Sequence, residues 1–325
     1  MNVVPKTAIR AMPDALRGFV QAAYLKAGLN DDHARMMADA LVASDLRGVF
    51  SHGTRQTASY ISLFKKGELN PRADVRIVQE SPTSVKVDGD GGLGYAPSFL
   101  AARIAVEKAK ASGIAVGMTS NHGHFGSAGH YTRVAVAADC FGFAVSSHLR
   151  PFPSKGSILE AGGASPMSFG VPAGGQPPLI LDMATSHSRI FGSTLEEIFP
   201  RIPAVFFKTL GLGLVCNALG GILAGMVSQE EQGPRKWEGV NQGAFFIAVD
   251  VGQLMDMGTF RRQMDEFIET VRKMRPAPGY DRADAPGGLE WEREQTWAKE
   301  GIPVGPEHQK TLEDVAREVG IAVPW

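Results

Sequence analysis

Cysteine is nearly absent from the sequence, which contains only Cys140 and Cys216 among its 325 residues. Both lie in apolar segments and are far apart, which excludes a disulfide framework and the spacing of a cysteine zinc site. Free buried thiols are typical of a reducing compartment. The N-terminal segment also lacks the apolar core and cleavage signal of a secretory peptide. We therefore expect a cytoplasmic protein.

An excess of charge of either sign is also absent. The sequence has 33 Lys and Arg against 34 Asp and Glu, which gives a formal net charge of −1. Proteins that bind nucleic acid or an anionic membrane surface usually carry a basic surplus. We therefore expect a small-molecule ligand and neither nucleic acid nor membrane as a partner.

Long apolar runs are limited to one segment, residues 204–226, which has the length of a membrane span. Lys208, Cys216 and Asn217 interrupt this segment, and the sequence has no second one like it. A buried helix is therefore favoured over a membrane span. The chain is long enough for two domains or one large α/β body.

The most distinctive stretch is residues 119–131, TSNHGHFGSAGHY, which holds three histidines and almost no bulky side chains. It follows the apolar run 114–118, and helical spacing resumes from Ser127, so it is predicted to join a strand to a helix. Ligands bind at the carboxyl ends of strands in α/β sheets. An imidazole there can transfer a proton near neutral pH. This stretch is the predicted centre of the chemistry.

Two other predicted strands also end in polar residues. The strand over residues 141–145 leads to His148, and the strand over residues 179–181 leads to Asp182. Convergence of such strand ends is the usual way in which an α/β protein assembles a site. We expect His148 and Asp182 to lie near the histidine stretch.

Residues 89–94 read G-x-G-x-x-G between a predicted strand and a helix, as in the dinucleotide-binding fingerprint. The next strand, however, does not end in the Asp or Glu that would take a ribose hydroxyl. A glycine-rich turn is favoured over a phosphate site.

Two other interpretations concern histidines. His122, His124 and His130 are three possible metal ligands, but neither a carboxylate nor a thiolate lies close by, so no metal site is predicted. Ser51 and His52 are adjacent on a turn, where a nucleophile and its base rarely face each other, and a G-x-S-x-G motif is missing.

Arg47 and Arg55 flank the Ser51–His52 turn. Their guanidinium groups could hold a substrate carboxylate in a bidentate way, and an ordinary surface ion pair is the alternative.

Periodicity and breakers predict the remaining elements. Asp31 or Asp32 is the expected cap of the second helix, which should end at Gly48. Predicted helices occupy residues 7–30, 31–47, 97–111, 127–139, 259–274, 289–300 and 307–319. Predicted strands occupy residues 75–79, 84–88, 114–118, 141–145, 179–181 and 244–250.

Several motifs, taken in order, resemble those of the malate/L-lactate dehydrogenase family. They are DLRG at 45–48, SHG at 51–53, LNP at 69–71, VDG at 87–89, NHGHFGSAGHY at 121–131, GGASP at 162–166 and DMATS at 182–186. This family includes ureidoglycolate, sulfolactate, diketogulonate and piperideine-2-carboxylate oxidoreductases.

The resemblance implies an α/β fold with a non-Rossmann NAD(P)-binding mixed sheet and helical N- and C-terminal parts, usually in a homodimer. It divides the chain into a helical part that contributes to the substrate site (1–72), a cofactor-binding sheet (73–250) and a C-terminal helical part that packs back on the core (251–325). The implied reaction transfers a hydride between NAD or NADP and the 2-carbon of a small 2-hydroxy or 2-oxo acid.

The resemblance also implies roles for single residues. His124 matches the family's catalytic acid/base, and Ser51 and His52 match its Ser-His pair near the substrate. Arg47, Arg55 and His122 complete the expected substrate-binding set. The expected cofactor contacts are His148, Asp182, Met183, Ala184, Lys208, Gly287, Gly288 and Leu289.

The chain departs from the family pattern at four places, one of which is Thr209, which follows Lys208 where the family has Gly. The motif L-G-T-N-P is replaced by GGASP at 162–166, Gln56 stands where the family's substrate arginine is usual, and the segment between Ser186 and Lys208 is shorter than in typical members. The alternative prediction is therefore a catalytically impaired family member that acts as a binding or scaffold protein.

Overall fold

The computed structural model describes residues 3–148, 157–159, 165–185, 195–226 and 236–325. Its centre is a seven-stranded mixed sheet, and a second, two-stranded sheet joins the two ends of the chain. The strands are β1 (Ile9–Ala11), β2 (Arg76–Ser81), β3 (Ser84–Asp88), β4 (Ile114–His122), β5 (Cys140–His148), β6 (Pro166–Val171), β7 (Leu179–Ala184), β8 (Gln242–Asp250) and β9 (Ile302–Val304).

Helices surround the sheet and form the N- and C-terminal parts of the chain. They are α1 (Pro13–Lys26), α2 (Asp31–Leu46), α3 (Gln56–Lys65), α4 (Tyr95–Ser112), α5 (Gly129–Val136), α6 (Leu195–Ile198), α7 (Pro203–Asn217), α8 (Met257–Arg272), α9 (Gly288–Glu300) and α10 (Pro306–Val319).

The order of the large sheet is β2-β3-β4-β8-β5-β6-β7. Strands β3 and β4 are parallel, and every other neighbouring pair is antiparallel. As a result β3, β4, β5 and β7 run in the same direction and end at one edge of the sheet. The expected convergence of strand ends is therefore present, and the predicted mixed-sheet α/β fold is confirmed.

The N-terminal and C-terminal helices share one hydrophobic core. Strand β1 pairs with β9, and side chains of α1, α2 and α3 pack with those of α9 and α10. Fully buried members from the two ends include Leu16, Leu41, Ile61, Ile302 and Leu312. The N-terminal and C-terminal parts therefore pack together as one unit.

Two predicted boundaries are corrected by the structure. The first helix begins at Pro13 rather than at residue 7, because residues 9–11 form β1. The cap of α2 is Asn30, whose side chain accepts a hydrogen bond from the amide of His33, rather than Asp31 or Asp32. The helix ends before Gly48 as expected, and this glycine has a positive φ of 75°.

Strand β4 is longer than predicted and includes residues 119–122. The pairing with β8 continues to His122, which lies opposite Gln242, after an irregularity in the register. Asn121 lies within that irregularity and has a φ of 57°. The loop of the histidine stretch therefore begins at Gly123, and His122 belongs to the end of a buried strand.

The long apolar segment forms α7 followed by a π-helix, Ala218–Leu223. By length and composition, residues 203–223 form one helix that is apolar enough to cross a membrane, and a third of its most apolar window is buried. The buried side packs closely on β5, since a Cβ on Gly220 would lie 2.8 Å from the amide nitrogen of Ser147.

The glycine-rich turn at residues 89–94 uses its amides inside the protein. The amides of Gly89 and Gly91 donate to the carbonyls of Ser120 and Asn121, and that of Gly94 donates to the carbonyl of His124. These amides are therefore not available to a phosphate, and the turn instead supports the histidine stretch. The interpretation as a structural turn agrees with this geometry.

Candidate active site

The ring of His124 lies just past the end of β4, between two aromatic neighbours. Its Nδ1 is 2.6 Å from the hydroxyl of Tyr60 on α3. Its other neighbour is His52, whose ring is stacked on it with centroids 5.8 Å apart and an interplanar angle of 27°. Because Tyr60 occupies Nδ1, Nε2 is the ring nitrogen left for a ligand. The structure thus brings His124 and His52 together.

Burial, together with the smaller effects of the neighbouring His52 and His122, lowers the pKa of His124 to about 4. Burial also lowers the pKa of His52, while the negative charge of Asp182 opposes that shift. Both imidazoles are therefore neutral at pH 7 in the absence of a ligand. A negatively charged ligand beside them would favour protonation of either ring.

A buried carboxylate fixes the turn that carries Ser51 and His52. Asp45 Oδ2 accepts hydrogen bonds from the amide of Thr54 at 3.0 Å and from its hydroxyl at 2.6 Å. The same hydroxyl oxygen lies 2.7 Å from Nε2 of His308 on α10. The turn is therefore anchored both to α2 and to the C-terminal part of the chain.

The anchor requires glycine at position 53. A Cβ on Gly53 would lie 1.7 Å from Asp45 Oδ1, which is closer than atoms can approach. Asp45 is fully buried, its Oδ1 has no hydrogen-bond partner, and burial raises its pKa to about 7. The glycine of the SHG motif is thus explained by the close packing of Gly53 on Asp45.

Asp182 lies on β7 at the same edge of the sheet. Its carboxylate accepts a hydrogen bond from the hydroxyl of Ser127. A Cβ on Gly129 would lie 2.6 Å from both Asp182 Oδ2 and Arg133 Nη1, so the carboxylate and the guanidinium converge there. Burial and the neighbouring Arg47 lower the pKa of Arg133 to about 10, and Asp182 opposes this shift.

The three predicted substrate-binding residues make other contacts. Arg47 forms a bidentate pair with Glu294, at 2.9 and 3.0 Å. It also lines a groove of about 630 Å³ between α2, α4 and α5, which His124 does not line. Arg55 is exposed and lies 3.9 Å from Glu307. Both arginines therefore form ion pairs within the protein, which is the alternative to carboxylate binding that the sequence leaves open.

His122 is fully buried and uses both ring nitrogens within the protein. Nε2 is 2.8 Å from the Thr119 hydroxyl, and Nδ1 is 2.7 Å from the carbonyl oxygen of Gly123. Burial lowers its pKa to about 4. These contacts give His122 a structural role in the turn that places His124.

The residues predicted to contact the cofactor lie along the edge of the sheet and on two helices beside it. His148 ends β5, and Met183 and Ala184 end β7. Gly287, with a φ of 93°, precedes α9 and packs against Ile180 of β7. Gly288 and Leu289 begin α9, and Lys208 is exposed on α7. Ser186 and residues 162–164 of the GGASP motif lie outside the described residues.

Sequence reasoning missed the residues that support the site. Tyr60 occupies the buried face of α3 together with Thr57, Ile61 and Phe64, so its spacing indicated only a core residue. Asp45 likewise lies on the buried face of α2. A charged residue at a core position was the available signal for Asp45, since a buried carboxylate needs hydrogen-bond partners.

Within the described ranges, no group of three or more His, Cys, Asp or Glu side chains is placed to hold a metal ion. Both cysteines are buried and free, and burial raises the pKa of each thiol to about 11. Such thiols are poor nucleophiles at neutral pH. The groups that the structure places around His124 and along this sheet edge are imidazole, hydroxyl and carboxylate groups.

Comparison with known proteins identifies the family. The family model described as malate/L-lactate dehydrogenase matches residues 12–192 and 199–313. The chain belongs to this family. The match is interrupted at residues 193–198, within the segment that the sequence indicates to be shortened.

Relatives in the family cover nearly the whole chain. The malate dehydrogenase of Pyrococcus horikoshii is 27% identical over an alignment of 352 positions, which covers 98% of each chain. The L-sulfolactate dehydrogenase of Methanocaldococcus jannaschii is 30% identical over 331 residues, covering 92% of this chain and 94% of the relative. The solved structure of the P. horikoshii enzyme superposes with a TM-score of 0.82 over 99% of both chains.

These findings confirm the predicted family, fold and class of activity. The chain is an NAD(P)-dependent dehydrogenase of the 2-hydroxy acid type that includes malate, lactate and sulfolactate dehydrogenases.

Proposed function

We propose that this site transfers a hydride between a nicotinamide cofactor and the 2-carbon of a small 2-hydroxy or 2-oxo acid, with His124 as the acid/base. The observation that carries the proposal is the stacked pair of His52 and His124 beside the Ser51 hydroxyl. A pair of neutral imidazoles offers a proton donor and a proton acceptor to one substrate oxygen.

His124 acts through Nε2, because Tyr60 occupies Nδ1. In oxidation of a hydroxy acid, neutral Nε2 takes the proton of the 2-hydroxyl group. In the reverse direction, protonated Nε2 gives this proton to the alkoxide that forms at the 2-carbon. Since burial holds the His124 pKa near 4, reduction requires that the substrate carboxylate favour the protonated ring.

Ser51 and His52 orient the reacting oxygen. The Ser51 hydroxyl is exposed and lies 3.0 Å from Nδ1 of His52, so each group fixes the direction of the other. Of the two predicted carboxylate ligands, Arg55 is the more available, since its pair with Glu307 is long and its side chain is 45% exposed. It can turn to a substrate carboxylate at little cost.

We place the nicotinamide dinucleotide along this edge of the sheet. Lys208 is exposed and forms no ion pair with another described residue, which suits a phosphate group, and Ala184 is exposed at the end of β7. We assign cofactor contacts to Lys208, His148, residues 182–184 and residues 287–289. When bound, the nicotinamide supplies or accepts the hydride, and the protein supplies position and the proton.

We further propose that the enzyme is cytoplasmic and works as a homodimer. Supporting the dimer, α7 and the following π-helix expose large apolar side chains in the single chain. The exposed set comprises Val205, Phe207, Leu212, Leu214, Val215, Ile222 and Leu223.

The test is loss of NADH or NADPH absorbance with a panel of 2-oxo acids: pyruvate, oxaloacetate, sulfopyruvate, diketogulonate and piperideine-2-carboxylate. We expect turnover with at least one acid and with one cofactor preferred. Cofactor binding in a titration without turnover on the panel would instead support the catalytically impaired binding protein that the shortened segment suggests.

A further inference from the structure

Four of the five tyrosines in the sequence form one buried cluster, and its member Tyr60 contacts His124. They are Tyr24, Tyr60, Tyr95 and Tyr131, and each is at most 2% exposed. Two of them form a chain of hydroxyl groups that starts at the ring of His124. Tyr60 Oη is 2.6 Å from His124 Nδ1 and 3.3 Å from Tyr95 Oη.

This chain ends inside the protein. Tyr95 is fully buried at the first residue of α4, and its ring packs against Gly126, where a Cβ would lie 2.4 Å from the Tyr95 hydroxyl. A proton passed along the chain would have no exit to solvent. The chain is therefore suited to fixing the position of hydrogens rather than to conducting protons.

The single hydrogen of the Tyr60 hydroxyl can point in one of two directions. If it points to His124 Nδ1, the neutral ring must carry its hydrogen on Nε2 and cannot act as a base there. If it points to Tyr95, Tyr60 accepts a hydrogen bond from Nδ1–H, and Nε2 keeps its lone pair. The choice decides whether His124 is ready to accept the proton of a hydroxy acid.

We propose that Tyr60 is a positioning residue that holds His124 as the Nδ1–H tautomer, and that Tyr95 makes this possible by accepting a hydrogen bond from the Tyr60 hydroxyl. The catalytic consequence rests on the proposed function. Tyr60 remains a neutral phenol throughout, since burial and the surrounding tyrosines raise its pKa well above the usual value.

The same arrangement serves both directions of the reaction. In oxidation, Nε2 takes the proton of the 2-hydroxyl group as the hydride leaves for the nicotinamide, and His124 becomes an imidazolium. Its Nδ1–H bond to Tyr60 is kept, and it becomes charge-assisted. In reduction, the Nε2 proton passes to the alkoxide and the Nδ1–H tautomer is restored, so no hydroxyl has to rotate during turnover.

The test is long-range ¹H–¹⁵N NMR of the eight histidines, with His124 assigned by comparison with a His124→Gln variant. In the unliganded wild type at pH 7.5, we expect Nδ1 of His124 to have the shift of a protonated nitrogen and Nε2 that of an unprotonated one. In Tyr95→Phe the acceptor for Tyr60 is lost, so Tyr60 should donate to Nδ1 and the two shifts should exchange. In Tyr60→Phe the preference for Nδ1–H should be lost.

Tyr24→Phe is the matched control. Tyr24 is an equally buried member of the cluster, and it forms no hydrogen bond with Tyr60, Tyr95 or His124. This variant should keep the wild-type tautomer, which separates a specific effect from general loosening of the cluster. An Nε2–H tautomer in the wild type, or an unchanged Nδ1–H tautomer in Tyr95→Phe, would overturn the proposal.

A kinetic measurement follows the same variants. Tyr95→Phe should lower kcat for hydroxy acid oxidation about tenfold, with KM changed less than twofold. A tenfold decrease is a small part of the rate acceleration that general-base catalysis provides. Because Tyr95 does not contact His124 by a hydrogen bond, an unchanged kcat together with an exchanged tautomer would overturn the catalytic consequence. The tautomer itself is observable without turnover, so failure of the proposed reaction and failure of this inference are distinguished.

Discussion

The side chain at the centre of the site, His124, is enclosed by groups that keep it neutral. Tyr60 and His52 cover it, and burial holds its pKa near 4. A neutral imidazole is ready to act as a base, whereas action as an acid requires a proton taken up with the substrate. We therefore expect His124 to become protonated only when an anionic ligand binds beside it.

This leads to a prediction for the pH dependence. Since the neutral form of His124 predominates above its pKa of about 4, kcat/KM for hydroxy acid oxidation should show no decrease due to His124 between pH 8 and 5. In the reverse direction the reactive form is protonated, so kcat/KM for 2-oxo acid reduction should fall about tenfold per pH unit as pH rises. Initial rates in both directions, measured with limiting substrate, test this.

A decrease in the oxidation profile with a midpoint near 6.5, the ordinary value for histidine, would show that His124 is not shielded in solution. His124→Ala provides the baseline, since any remaining pH dependence then belongs to other groups.

Among the elements, the turn after α2 connects the site to the two ends of the chain. Asp45 on α2, Thr54 in the turn and His308 on α10 form one buried hydrogen-bonded set. The set holds Ser51 and His52 in place through short contacts, and it includes a carboxylate whose pKa is raised to about 7. A group of this kind makes stability depend on pH.

Asp45→Asn should reduce that dependence. Because the folded-state pKa of Asp45 lies above its unfolded value near 3.8, its favourable contribution is complete below about pH 4 and is lost as pH rises through 7. Each unit of pKa difference corresponds to about 1.4 kcal/mol. Wild type loses this contribution as pH rises, whereas an asparagine at this position does not titrate. We therefore expect the free energy of unfolding of Asp45→Asn minus that of wild type to increase from pH 5 to pH 8.

Urea unfolding at the two pH values measures this difference. Asp39→Asn is the control, because Asp39 is an exposed residue on the same helix. An Asp45→Asn difference that stays constant from pH 5 to pH 8 would contradict the assignment of a raised pKa to Asp45.

Many of the helices and strands could be predicted from the sequence, because they depend on local patterns. The strand before the histidine stretch, the end of α2 at Gly48 and the helices of the C-terminal part follow from periodicity and breakers. The extension of β4 to His122 could not be predicted, since it depends on pairing with β8 more than 100 residues later in the chain.

The site was predicted less completely for the same reason. His124 and His52 are recognisable by their motifs, whereas the neighbours that set their chemistry come from distant elements. Tyr60 reaches His124 from α3, and Glu294 on α9 pairs with Arg47. Neither contact has a signal in the local sequence, and the second one engages an arginine that the sequence suggests for the substrate.

At the scale of the whole molecule, α7 and the following π-helix carry the largest group of exposed large apolar side chains among the described residues. A patch of this kind is typical of an interface. We expect the protein to be a dimer with about twice the chain mass of 34.7 kDa. Val215→Asp, which places a charge at a half-exposed position of α7, should shift it toward the monomer in sedimentation or light-scattering measurements.

Val78→Asp is the matched control, because Val78 is exposed to a similar extent, 54% against 52%, on the edge strand β2. It should leave the dimer intact. A monomeric wild type, or dissociation by Val78→Asp but not by Val215→Asp, would contradict the assignment of the interface to α7.

The central claim is that His124 transfers the proton in an NAD(P)-dependent reaction of a 2-hydroxy or 2-oxo acid. The most direct measurement is the steady-state rate of NAD(P)H oxidation with the preferred 2-oxo acid, for wild type and His124→Ala side by side. Circular dichroism and cofactor titration should first show that the variant is folded and binds the cofactor. We predict a decrease in kcat of at least about 100-fold, as expected for loss of general acid/base catalysis. Turnover that is unchanged in His124→Ala would contradict the account.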